Sequence, residues 1–183
     1  MNKVLIIGVG GAGCSLAAHI QKKTSFDSLA IDRAQYLPDH NFTNKIEISE
    51  QISAGHELPD SYKQEILQSV EKHLIGSSAI VLAVGLGGNL GTALGIEIAK
   101  LARKMGINVV CTAYLPFGFE GAKRRQVSLN ALNELRMCTD EILVHDHSVE
   151  IASAESPSQS LLDYFKAANE SLMDDVNAKL VAY

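Results

Sequence analysis

Tryptophan is absent from the 183 residues, and aromatic side chains make up only 5% of them. That removes the stacking platform on which single-stranded nucleic acids are held. Positive charge is also scarce: 16 Lys and Arg stand against 21 Asp and Glu, a formal net charge of −5. Proteins that grip a phosphate backbone carry a basic excess, so no nucleic-acid partner is expected. Cysteine is limited to Cys14, Cys111 and Cys138, scattered without metal-ligand or redox spacing. These fit buried or half-buried thiols in a reducing compartment. Long apolar runs are missing too. Val4 to Ile7 is too short for a signal-peptide core and lacks a cleavage pattern. No run approaches the roughly 20 residues that cross a bilayer. The expectation is a soluble cytoplasmic protein with no membrane partner.

What remains is a globular balance, 46% apolar and 20% charged, in a length that fits a single domain with one buried core. Short β-rich runs alternate with longer helical patterns. Strands are predicted at Val4–Ile7, Ser28–Asp32, Lys45–Ile48, Ser78–Val84, Val109–Ala113 and Glu141–His145. Helical spacing of apolar residues covers Ala12–Lys23, Asp60–Leu74, Gly91–Met105, Glu120–Met137 and Leu161 to the C-terminus. Ala152–Ser160, rich in Ser and holding Pro157, is predicted as a loop. This alternation implies an α/β fold: a Rossmann-like three-layer domain with a mostly parallel sheet of about six strands and helices on both faces.

The chemistry lies in glycine. Gly8-Val9-Gly10-Gly11-Ala12-Gly13 sits between the first strand and the first helix. Glycine there permits a tight turn and lets backbone N–H groups approach an anion at a helix N-terminus. The pattern matches G-x-G-x-x-G, and Asp32 follows at the end of the next strand. That layout is the dinucleotide fingerprint, in which an acid binds the ribose hydroxyls. Taken alone it supports an NAD-dependent oxidoreductase, or a tight turn with no ligand. A second run, Gly85-Leu86-Gly87-Gly88-Asn89-Leu90-Gly91-Thr92, follows the strongest strand and also opens onto a helix. A plain turn needs one or two glycines; here there are four in seven residues. Two such turns in one small parallel sheet would converge on one polyphosphate from two sides. The Thr92 hydroxyl would donate to a phosphate oxygen or cap the helix.

This second run, with Ile98-Ala99-Lys100 and Gly106 after it, resembles the signature loop of the FtsZ/tubulin superfamily and the helix that follows. Pro116-Phe117-Gly118-Phe119-Glu120-Gly121 with Arg124, the opening Ile7 to Gly11, and Ala30-Ile31-Asp32 with Ala34-Gln35 and Leu37 resemble other FtsZ segments, in the family order. The resemblance covers nearly the whole chain. It implies binding of a guanine nucleotide, GTP or GDP, with Mg2+ compatible with GTP. Gly10, Gly11 and Gly13 would hold phosphates on one side and Gly87, Gly88, Gly91 and Thr92 on the other, with Cys14, Asp32 and Asn89 grouped among the cofactor-binding positions. Glu120 and Arg124, four apart on a predicted helix, match positions that contact the ribose; an ordinary surface ion pair is the competing reading. Phe165 and Asn169 match positions that stack on the base and bond its edge. Asn at the second follows tubulin rather than FtsZ, and its donor and acceptor fit guanine or, turned over, adenine edges. Phe165 fits a core aromatic equally well.

Departures from the pattern carry expectations of their own. Asn89-Leu90 stands where the family favours Gly-Thr, which removes a hydroxyl beside the phosphates. Only a loose likeness links Ser53–Asp60 to the loop that senses the terminal phosphate, and His56 there reads as a solvated histidine. His145-Asp146-His147 is read as a strand-end loop in preference to a metal pair. FtsZ and tubulin hydrolyse GTP where the second domain of one subunit supplies acids to the nucleotide of the next. The sequence ends near the long helix that would lead to that domain, and Asp174 and Asp175 have no evident place at the phosphate. Catalytic residues are therefore assigned to none. The expectation is a nucleotide-binding domain that does not hydrolyse efficiently alone and regulates or co-assembles with a cytoskeletal or cell-division partner. An FtsZ/tubulin-like protein or a homo-oligomer would be that partner, and a homodimer through Leu172, Val176 and Leu180 is expected if their helix is not fully buried.

Overall fold

A computed structural model describes residues 3–37, 41–49 and 58–148, together with Glu170, Val176 and Lys179. The chain alternates strand and helix: β1 (Val4–Val9), α1 (Gly10–Lys23), β2 (Asp27–Arg33), β3 (Asn44–Ile48), α2 (Asp60–Leu74), β4 (Ala79–Gly85), α3 (Asn89–Lys104), β5 (Asn108–Leu115), α4 (Ala122–Cys138) and β6 (Glu141–Asp146). All pairings among these strands are parallel. They form one six-stranded sheet in the order β3-β2-β1-β4-β5-β6, as the strand–helix alternation predicts.

Side-chain alternation divides the core into two layers. Leu5, Ile7 and Val9 of β1 point to the face covered by α2, α3 and α4, with Ile66, Val70, Leu94, Ile98 and Leu135. Val4 and Ile6 point the other way, onto α1 through Leu16, Ala17 and Ile20. A parallel sheet is stable only with both faces covered, and full burial of each such side chain contributes roughly 1.5–3 kcal/mol. Val176 is buried on the α1 face, and Lys179 Nζ pairs with Glu141 at 3.1 Å. Val176, Glu170 and Lys179 are helical. Val176 therefore belongs to the fold's own core; Leu172 and Leu180 lie outside the described residues.

The sheet order fixes where a ligand would sit. The chain moves outward from β1 through β2 to β3, then returns to the middle and moves outward from β4 through β5 to β6. The connections leave β1 and β4 in opposite directions, which opens a crevice beyond their carboxyl ends. Val9 pairs with Val84 there, so the two strands end level.

Three helix starts differ from the sequence reading, and α3 begins at Asn89, two residues before Gly91. The first helix begins at Gly10, not Ala12. Glycine costs about 1 kcal/mol in a helix and so reads as loop, but here Gly10 makes the turn at the helix start itself, at φ +71°, a left-handed conformation that glycine enters freely, and packing of α1 on the sheet offsets the cost at Gly11. The fourth begins at Ala122, not Glu120, because Gly121 separates it from a 3-10 turn at Gly118–Glu120.

Candidate functional site

At the crevice the sheet is fitted against two helix N-termini. A Cβ built on Gly13 would lie 2.3 Å from Ala83 O, and one on Gly91 would lie 2.3 Å from Gly85 O. Only hydrogen at these positions lets α1 and α3 sit so close to β4. A Cβ on Gly10 would be 3.5 Å from Gly91 N, so the two glycine runs abut. Their first turns open on one cleft of about 720 Å³, lined by Gly10, Gly11 and Ala12 on one side and Gly85 to Gly91 on the other. The first N–H groups of a helix have no intrahelical acceptor, and each N-terminus carries a partial positive charge. Neither α1 nor α3 has a capping side chain or an acidic residue in its first turn. The amides are therefore available to an anion.

The second turn is held rigid. Gly87 N–H donates to Thr92 Oγ1 at 2.9 Å, and Leu86 N–H donates to Tyr114 O at 2.8 Å. Gly87 adopts φ +86°, a left-handed conformation that costs other residues roughly 1–2 kcal/mol. Arg124 packs its stem against this residue: a Cβ on Gly87 would meet Arg124 Cγ at 2.9 Å.

Arg124 also ties the cleft to its next wall. Its Nη1 lies 3.1 Å from Glu120 Oε2, across the break at Gly121 and not along one helix face as the four-residue spacing predicts. Glu120 Oε1 accepts the Phe117 N–H at 2.8 Å, and Glu120 N–H returns to Phe117 O at 3.1 Å. The strap Pro116–Glu120 is thus closed on itself, with both carboxylate oxygens engaged.

Opposite, Asp32 stands at the end of β2, 2% exposed. Its Oδ1 accepts Arg33 N–H at 2.8 Å, while Oδ2 has no partner and lies 3.8 Å from where a Gly11 Cβ would be. Burial pushes its carboxyl above the ordinary range, against the Arg33 N–H bond and charge. An unpartnered buried oxygen at a cleft edge is costly unless a ligand donates to it.

A column of rings closes the far end. Tyr114 stacks on His147 at 4.8 Å, His147 on Phe117 at 4.5 Å and Phe117 on Phe119 at 5.0 Å. All four line the cleft. His145 meets Tyr114 and His147 edge-on, at 5.4 and 5.1 Å. Burial, then the neighbouring His145, pulls His147 down to about 4 against the pull of Asp146. The imidazole is neutral at pH 7 and serves as a flat spacer between two aromatic rings.

A model of the Tubulin/FtsZ family, GTPase domain, matches residues 27–149. The chain belongs to this family. It is 29% identical over 179 residues to the cell division protein FtsZ of Aquifex aeolicus (strain VF5), covering 93% of this chain and 48% of that protein. With FtsZ of Buchnera aphidicola subsp. Acyrthosiphon pisum it shares 30% over 179 residues, covering 92% and 46%. The structure superposes on the empty FtsZ dimer of M. jannaschii with TM-score 0.82 at 25% identity, covering 96% of this chain and 53% of that one. The chain thus spans about half the length of the curated relatives it matches.

Within this Tubulin/FtsZ domain, the candidate residues fall into three groups. Gly10, Gly11, Asp32, Gly87, Gly88, Asn89, Gly91, Glu120 and Arg124 line the cleft together. Gly13, Cys14 and Thr92 stand behind it. Gly13 admits β4. Cys14 is fully buried, donates to Gly8 O at 3.3 Å and is pushed up to about 12, chiefly by burial. Thr92 braces Gly87 and keeps its hydroxyl hydrogen for another acceptor. Phe165 and Asn169, like residues 53–57 with His56, lie outside the described residues. Sequence reasoning missed Tyr114, His147 and Arg33 as lining residues. The His145-Asp146-His147 segment carries strand and ring packing, and among the described residues no group of His, Cys, Asp or Glu is arranged for a metal. No described helix is long and apolar enough to cross a membrane.

Proposed function

We propose that this cleft binds a guanine nucleotide, GTP or GDP, with the phosphates between the N-termini of α1 and α3. The observation that carries this reading is the contact of the two glycine runs, Gly10 against Gly91. Two helix N-termini face one volume, and no acidic side chain occupies either first turn. The pocket is within the size range of small-ligand sites. Glu120 is the acceptor for ribose hydroxyls, since each carboxylate oxygen keeps a further lone pair. Asp32 Oδ2, buried and unpartnered, offers a second acceptor on the opposite side. Membership of the Tubulin/FtsZ family supports the guanine base, with Phe165 and Asn169 as the residues to contact it. Mg2+ would accompany GTP through the phosphate oxygens.

An NAD-dependent oxidoreductase is not favoured. It would use Gly10, Gly11 and Asp32 but leave the second turn and the Glu120–Arg124 wall without a purpose, and the family match points elsewhere. Titration of the purified chain with GTP, GDP, ATP and NAD tests the choice. Micromolar binding of GTP and GDP and none of NAD is expected; no guanine-nucleotide binding at micromolar levels overturns the reading.

Hydrolysis is proposed to need a partner. Among the described residues, the carboxylates lining the cleft are Asp32 and Glu120. Asp32 is sunk at the end of β2, and Glu120 is engaged by Arg124 and the Phe117 amide; neither is placed as a base for an attacking water. The partner class is an FtsZ/tubulin-like protein or a second copy of this chain, which makes a cytoskeletal or cell-division role the working proposal. Phosphate release per molecule should stay low in dilute protein and rise with concentration or added FtsZ. A flat rate across all mixtures counts against it.

A further inference from the structure

Arg125 and Asp146 are absent from the cleft lining, yet each is next in sequence to a residue that forms it. Arg125 follows Arg124, which holds Glu120 and packs on Gly87. Asp146 precedes His147, which stacks on Phe117. The two form a two-pronged ion pair: Arg125 Nη1 donates to Asp146 Oδ1 at 2.7 Å and Nη2 donates to Oδ2. Ser148 adds its N–H and hydroxyl to the same Oδ1, at 3.1 and 2.6 Å, and Arg125 Nη1 also approaches Pro116 O at 3.5 Å. Asp146 accepts four hydrogen bonds, and its carboxyl is held well below the ordinary range, first by Arg125 and then by Ser148 against partial burial. A group held by four hydrogen bonds and with no face on the cleft does not itself contact a ligand there.

We propose that the Arg125–Asp146 pair is a positioning clamp that sets affinity for the nucleoside half of the bound nucleotide and not for its phosphates. The reading rests on the nucleotide assignment above. The clamp fastens the first turn of α4 to the end of β6, and the strap Pro116–Glu120, which leads from β5 into α4, touches both sides of it, through Pro116 O at Arg125 and through Phe117 at His147. Releasing it frees Glu120, Phe117 and Phe119 to move while the two amide cradles, built on β1, β4 and their helices, stay in place. Bidentate charge-assisted pairs are the strong and geometrically specific kind, which suits a fixing role.

The 183-residue chain is titrated with GDP and, separately, with inorganic pyrophosphate, as wild type, Asp146→Asn, Arg125→Gln and Arg125→Lys. Amide exchange of Phe117, whose N–H donates to Glu120, is followed without ligand. Expected is a loss of GDP affinity of roughly tenfold, the scale of one charged hydrogen bond, in Asp146→Asn and Arg125→Gln. Arg125→Lys should lose less, pyrophosphate affinity should hold within about twofold, and Phe117 exchange should be faster. Unchanged GDP affinity in the folded variants overturns the clamp. So does an equal loss for pyrophosphate, which would mean general loosening. If the unaltered chain binds pyrophosphate but not GDP, the nucleotide reading fails and the clamp's affinity role with it. Faster Phe117 exchange would then still support the structural half of the clamp, and unchanged exchange would overturn that as well.

Discussion

The two strand-to-helix turns serve one cleft by different means. After β1 no residue intervenes: Val9 is the last strand residue and Gly10, left-handed at φ +71°, makes the turn at the first position of the helix. After β4, Leu86–Gly88 intervene, pinned by Thr92 and by the Tyr114 carbonyl. Each turn nevertheless holds glycines of two kinds. Gly13 and Gly91 admit a neighbouring backbone, Gly91 while also lining the cleft, whereas Gly10, Gly11, Gly87 and Gly88 line the open volume. A glycine-rich motif is therefore two superposed requirements, one of packing and one of ligand approach, and single substitutions separate them.

The packing glycines should give the largest effects, and equal ones. In Gly13→Ala or Gly91→Ala the methyl falls 2.3 Å from a backbone oxygen, which no side-chain rotation relieves. Each should destabilise the fold by about 3 kcal/mol or more, read by denaturant unfolding. A mild effect at one and a severe effect at the other would mean that the turns are not equivalent in packing.

Next in size is the asymmetry itself. Gly87→Ala forces a methyl into a left-handed residue and against Arg124, at about 1–2 kcal/mol. Thr92→Val removes the acceptor of the Gly87 N–H, at roughly 1 kcal/mol. Both should weaken pyrophosphate and GDP binding, because both disturb the second cradle. The first turn has no counterpart to Thr92, so the comparison fails if Thr92→Val leaves binding untouched.

The acids flanking the two turns predict opposite pH slopes. Asp32, beside the first, has its carboxyl raised by burial from the ordinary 3.8. The folded state holds that proton more tightly than the unfolded, so its stabilisation is complete below about pH 4 and lost as pH rises through the folded value. Asp146, beyond the second, is lowered by Arg125; its stabilisation is present above about pH 4 and lost as pH falls. Asp32→Asn should therefore gain stability at pH 7 but not at pH 4, whereas Asp146→Asn should lose nearly the same stability at pH 7 and pH 4 and lose less only as pH falls toward 2. Urea unfolding at pH 7, 4 and 2 checks this; a pH-independent gain for Asp32→Asn, or a loss for Asp146→Asn that does not shrink between pH 4 and pH 2, would refute the assigned environment.

Much of this was legible in the sequence. The strands were, since Val4–Ile7 and Ser78–Val84 are apolar on both faces and only a doubly covered sheet accepts such runs. The convergence of the two glycine runs was legible as a consequence of the parallel alternation. The start of α1 was not, because Gly10 and Gly11 score as breakers until Gly13 is seen against Ala83. Neither was the ring column. Tyr114 and His147 meet because β5 and β6 are neighbours in register, with Tyr114 opposite His145, and pairing between strands leaves no local trace in spacing. Arg125–Asp146 was hidden for the same reason.

The smallest expected effect separates the two glycine roles most cleanly. Gly11 is helical and partnered by nothing that a methyl would strike; the nearest atom is Asp32 Oδ2 at 3.8 Å, an ordinary contact. Gly11→Ala should therefore stabilise the folded chain slightly, by up to about 0.5–1 kcal/mol, through lost backbone freedom in the unfolded state. The same methyl stands where a phosphate oxygen would approach the first amides of α1, so GDP and pyrophosphate should both bind more weakly. Stability rising while affinity falls is a combination that a purely structural glycine does not produce. If affinity is unchanged, the first turn does not face the phosphates and the cleft is served by the second alone.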